Sequence, residues 1–98
     1  MLFHITHEHS EETCPAHDAD RMAATFGKLM EAIKETGINL RGFYANAPAH
    51  RVYLVVEADT VEIINKVLYP VLTIGTAEIE PVTEAAATAK TFEEEARK

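Results

Sequence analysis

The chain has one cysteine, four prolines and four glycines in 98 residues, no tryptophan, and only nine Lys and Arg against sixteen Asp and Glu. A single cysteine, Cys14, cannot form an internal disulfide, which fits a reducing compartment and leaves its thiol for other chemistry. The net charge of −7 argues against nucleic acid or an anionic membrane as partner, because neither is attracted to it. No apolar run approaches the roughly 18–20 residues that a bilayer span needs, and the N-terminus lacks the basic-then-apolar secretion pattern. These shortages predict a cytoplasmic protein. Composition is otherwise that of an ordinary globular domain, 47% hydrophobic and 26% charged. A domain this small buries roughly 60–70% of its extended surface, so pairing with a second copy would help it.

What is abundant is concentrated. Four of the five histidines and the only cysteine lie in the first seventeen residues: His4, His7, His9, Cys14 and His17. Imidazole and thiolate are the side chains that hold transition metals. His7 and His9 stand two apart, so on a strand they share one face, with backbones roughly 6.5–7 Å apart. Cys14 and His17 form a Cys-x-x-His pair that can close over one atom where a turn enters a helix. The expected ligand set is therefore His7-x-His9-x4-Cys14-x2-His17, holding zinc first, with iron or copper as alternatives. Glu8, Glu11, Glu12, Asp18 and Asp20 crowd the same stretch and could supply an oxygen or orient an imidazole. The competing reading is a solvated acidic loop in which Cys14 merely packs beside a helix start. His4, on the other strand face, reads as a packed strand histidine. His50 falls in a turn and is expected to be distant and exposed.

Periodicity supplies the elements. Phe3 and Ile5 alternate with His4 and Thr6, which predicts a first strand to about His7. Met22, Phe26, Leu29, Met30 and Ile33 draw one apolar helical stripe, opened by Pro15 and Asp18 and closed by Gly37. That stripe is core by preference over a cofactor-binding face. Residues 38–45 and 51–58 read as a hairpin joined by the turn-prone run Asn46 to His50. The second of these strands, Val52 to Val56, is apolar at consecutive positions and needs cover on both faces. Asp59 and Glu62 resemble a capping box before Ile63, Ile64, Val67 and Leu68, and Pro70 should end or kink that helix. A fourth strand is expected over 73–82. Thr83 then caps an alanine-rich tail, 84–98, whose one large apolar side chain, Phe92, should dock on this subunit or a partner.

The order strand, helix, strand, strand, helix, strand predicts an α+β, ferredoxin-like βαββαβ fold: a four-stranded antiparallel sheet with helices on one face and an extra C-terminal helix. Residues 1–82 form that domain, with the His/Cys-rich loop at 7–17, and residues 83–98 form the tail. The run from Gly37 to Tyr44 entering the hairpin, the run from Val52 to Asp59, and Ile79-Glu80-Pro81-Val82 resemble the dimeric α/β-barrel superfamily. That superfamily includes muconolactone isomerases, small antibiotic-biosynthesis-type monooxygenases and uncharacterised families, and the likeness is nearest to the last. The resemblance implies a homodimer whose sheets face each other. It carries over no catalytic residue, and the His/Cys-rich loop departs from the plain connection usual there.

Three functions follow as expectations. The first is a metal-binding dimeric protein with one ion per subunit, the ion being catalytic, stored or sensed. The second is a metal-independent isomerase- or monooxygenase-like enzyme acting on a small apolar molecule between sheet and helices, with His4, Arg41, Tyr44 and Tyr53 as its polar groups. The third is a ligand-binding module without turnover.

Overall fold

The computed structural model describes residues 1–98. Strand β1 (Leu2–His9) alternates between two environments: Phe3, Ile5, His7 and His9 are buried, while Leu2, His4 and Thr6 are half-exposed. It lies inside the sheet, antiparallel to β3 (Arg51–Glu57) on one side and β4 (Gly75–Val82) on the other, and β2 (Asn39–Asn46) completes the order β2-β3-β1-β4. The arrangement is the expected βαββαβ fold.

One long helical passage follows β1. It runs through α1 (Ala19–Met22), a single π-helical turn (Ala23–Gly27) and α2 (Lys28–Thr36). Asp18 caps it, its carboxylate accepting from the amides of Asp20 and Arg21 at 3.0 and 3.1 Å, and Gly37 ends it in the left-handed region at φ 73°. Helix α3 (Val61–Leu72) is capped by Thr60, not Asp59, with the Thr60 hydroxyl accepting from the Ile63 amide. Pro70 does not end it. The helix continues two residues further to Leu72, and the Thr73 hydroxyl donates to the Pro70 carbonyl at 2.7 Å, pairing one of the carbonyls that a helix end leaves free. Helix α4 (Ala85–Ala96) begins after Glu84 rather than directly at a Thr83 cap.

The buried core joins one sheet face to α2 and α3: Phe3, Ile5, Leu54 and Val56 from the strands against Leu29, Ile33, Ile64 and Leu68 from the helices. Each such side chain contributes about 1.5–3 kcal/mol by leaving water. The other face carries Leu2, His4, Tyr53 and Val55, all half-exposed. No residue of α4 is buried, and Phe92 is 69% exposed, so the tail anchor finds no seat on its own chain. Val52 to Val56 is thus split as its pleat requires, Val52, Leu54 and Val56 inward and Tyr53 and Val55 onto the open face.

Candidate metal centre

The alternation that places Phe3 and Ile5 in the core continues to His7 and His9, so two imidazoles enter the helix side of the sheet at its end. His7 is fully buried and His9 is 9% exposed. An aliphatic side chain at position 7 would serve the core better, and a buried imidazole is tolerated only when both nitrogens are paired. They are. His7 Nδ1 lies 2.9 Å from the Thr76 carbonyl, and His7 Nε2 lies 3.0 Å from His9 Nδ1.

This chain fixes both tautomers. Facing a carbonyl, His7 Nδ1 must donate its proton, so neutral His7 accepts at Nε2 from the His9 Nδ1–H. His9 Nε2 is left with its lone pair. Burial pushes the His7 imidazole below its ordinary value and the adjacent His9 adds to this, against partial opposition from the Thr76 carbonyl. His9 is lowered by burial first and by His50 second. Both rings therefore stay neutral at pH 7, the state a metal ligand needs.

Two further segments converge on His9. The turn after β2 is a 3₁₀ turn (Ala47–Ala49), and His50 follows it in the left-handed region at φ 54°. His50 accepts at its carbonyl from the His9 amide at 3.1 Å, and the two rings stand edge to face with centroids 5.4 Å apart. The expectation of a distant, exposed His50 is therefore corrected: β3 begins where β1 ends, so the hairpin turn lies against the tip of β1. From the other side the loop after β1 folds back. Ser10 and Thr13 bond each other through backbone and hydroxyls, Arg21 donates to the Thr13 carbonyl at 3.2 Å, and Pro15 is buried. Cys14 is held between these staples.

The result is a group of one ligand atom each from His9, Cys14 and His50, all within 4.8 Å of one another. A tetrahedral ion with bonds of about 2.0–2.3 Å needs ligands roughly 3.3–3.8 Å apart, so small side-chain rotations suffice to close this group. Of the expected set, the structure brings together His9 and Cys14. His7 stands behind His9 as its hydrogen-bond partner, with both of its nitrogens engaged. His17 lies exposed on the wall of the same cavity, outside the close group. His4 faces away and stacks on Tyr53, its ring centroid 6.1 Å distant.

The π-helical turn contributes a wall. It sets Phe26 edge-on to both imidazoles, at 5.6 Å from His7 and 6.1 Å from His9. Such bulges are frequent at functional sites because they re-aim side chains within a helix. These three side chains line a cavity of about 370 Å³, walled for the rest chiefly by apolar side chains. Sequence reasoning missed His50 and Thr76. The signal for both was topological: in a βαββαβ sheet the end of β1 neighbours the starts of β3 and β4.

The groups expected for a metal-independent enzyme are elsewhere. Tyr44 is exposed, Tyr53 and His4 lie on the open face, and Arg41 is paired with Glu57 and Glu84. Between the sheet and α2 and α3 lie the core side chains, and the cavity between the sheet and the π-helical turn is lined by none of these four groups.

None of the curated proteins matches the chain. Among solved structures, the crystal structure of SCO4226 from Streptomyces coelicolor A3(2) resembles it with a TM-score of 0.58 at 13% identity, covering 87% of this chain and 99% of that one. That likeness establishes the shared fold and carries no relationship to the isomerases or monooxygenases. A family model described as a domain of unknown function, DUF3303, matches residues 1–96, and the chain belongs to that family.

Proposed function

We propose that this protein binds one transition-metal ion per chain through His9, Cys14 and His50, with zinc first and iron or copper as alternatives. The observation that carries the reading is the convergence of three donor side chains from three chain segments to within 4.8 Å. The buried chain from Thr76 through His7 supports it, since it holds the His9 ring by its Nδ1–H, as hydrogen-bond partners behind metal-bound imidazoles do. A set of two imidazoles and one thiolate suits a borderline-soft ion. The surplus of acidic residues, among them Glu11, Glu12, Asp18 and Asp20 in the adjoining loop, favours cations over anions. Three protein ligands beside a cavity match an open site, where water or a small molecule completes the ion, better than a closed structural one.

Calorimetric titration with zinc tests this. Binding of one ion per chain is expected, with His9→Ala, Cys14→Ser and His50→Ala each weakening it at least about tenfold. Equal affinity in all three variants would return the loop to the solvated-surface reading.

The same reading includes a homodimer. Helix α4 is twelve residues long with none buried. An isolated helix of that length is marginal in water, so it needs a surface. The half-exposed apolar side chains Leu2, Tyr53 and Val55 on the open sheet face of a second copy offer one.

A further inference from the structure

The cavity beside the three ligands is the other half of the site. Its volume of about 370 Å³ falls within the range of small-molecule pockets. His9, Cys14 and His50 form one side, and Met22, Phe26, Ala45 and Val52 form much of the rest. The remainder is mostly apolar, its exceptions being His17 and an Arg51 that is already paired with Glu8 at 3.6 Å. Building on the metal reading, we propose that the cavity holds a small, uncharged, largely apolar molecule whose single nitrogen donor takes the ion's open position.

The chemistry of the walls selects this class. A charged donor entering this cavity loses hydration that the apolar walls do not repay, and the one cationic wall residue, Arg51, is already paired with Glu8, whereas a neutral azole brings a lone pair at far lower cost. A borderline-soft ion already held by imidazole and thiolate accepts a further nitrogen readily. The Phe26 ring, set by the π-helical turn against His7 and His9, offers an aromatic edge to the body of such a ligand. His17 lines the same cavity and carries a ring nitrogen of its own, so it is the built-in competitor for the open position.

Cobalt(II) reports both steps, because its visible bands change with coordination number and ligand type. The intact protein is loaded with cobalt(II), and imidazole and 4-phenylimidazole are then titrated separately. Burying the phenyl ring should make 4-phenylimidazole bind at least about tenfold tighter, with a band change for each. Met22→Glu, at the exposed rim of the cavity wall, should erase most of that preference, and His17→Ala should tighten both ligands. Equal affinities of the two azoles, or no band change in cobalt-loaded protein, overturn the cavity proposal and leave the metal reading standing. Failure to take up cobalt(II), zinc, iron or copper overturns both.

Discussion

The His9 amide donates to the His50 carbonyl at 3.1 Å, and this one backbone bond fastens the hairpin turn to the tip of β1 with the two imidazoles side by side. His50 holds its place in a left-handed conformation that costs an L-residue roughly 1–2 kcal/mol and that glycine adopts freely. A residue kept under strain beside two other donors is expected to be there for its side chain. His50→Gly should therefore leave the metal-free protein as stable or slightly more so in urea melts, while zinc affinity falls at least about tenfold. Lost stability with retained binding would place the importance of His50 in the turn.

His7 should show the same division more sharply. Replacing it by isoleucine puts an aliphatic side chain in the fully buried place of the ring and frees the His9 ring to rotate. Thermal stability of the metal-free His7→Ile protein should match or exceed that of the wild type, while metal affinity drops by about 10–100-fold. If His7 is instead a direct ligand, the loss should equal that of Cys14→Ser.

Acid should destabilise the metal-free protein. His7 and His9 are held below the ordinary imidazole value of 6.5 in the folded chain. The unfolded chain therefore binds more protons in the window just beneath 6.5, and stability rises with pH there. It should be fully present above 6.5 and lost as pH falls through the depressed folded values. Urea midpoints between pH 7.5 and 5 read this, and His7→Ile should flatten the slope. An unchanged slope would mean that the carboxylates govern it.

Gly75 faces His9 across the β1–β4 ladder, where a Cβ would come within 2.1 Å of the Glu8 carbonyl oxygen. No rotamer relieves a clash with backbone, so Gly75→Ala must push the strands apart. A loss of about 1–3 kcal/mol is expected, together with weakened metal binding, because the displaced segment carries His9. Full stability in the variant would show that the strand tips part without cost.

The dimer is tested by sedimentation at micromolar concentration. The expected mass is that of two chains, falling to one in Tyr53→Glu, which puts a charge on the open face. Phe92→Ala should loosen hydrogen-exchange protection in α4 and leave the sheet intact. A monomeric wild type would leave α4 without its proposed seat.

The sheet and its helices were legible in the sequence because period-two and helical stripes are local patterns, and Phe3, Ile5, Leu29 and Ile33 mark them plainly, whereas β1 runs on to His9, two residues past the expected strand end. The cluster was half legible. Cys14 and His9 announce themselves by composition, but His50 is brought in only by the pairing of β1 with β3, a long-range relation that spacing along the chain does not carry. His7 and His9 share a face as expected. Which of them reaches the cavity depended on the Thr76 carbonyl, a backbone group that side-chain composition does not reveal. The cap falls at Thr60 and not Asp59 because the hydroxyl that reaches the Ile63 amide belongs to the residue next to the helix, and Pro70 does not end the helix, which runs two residues past it.

Metal content per chain, measured by elemental analysis on protein purified without a histidine tag or chelator, tests the central claim most directly. The account predicts one transition-metal ion per wild-type chain, either as purified or after exposure to low-micromolar zinc, iron or copper, and almost none in Cys14→Ser or His9→Ala. A wild-type chain with no stoichiometric metal and no uptake would contradict it.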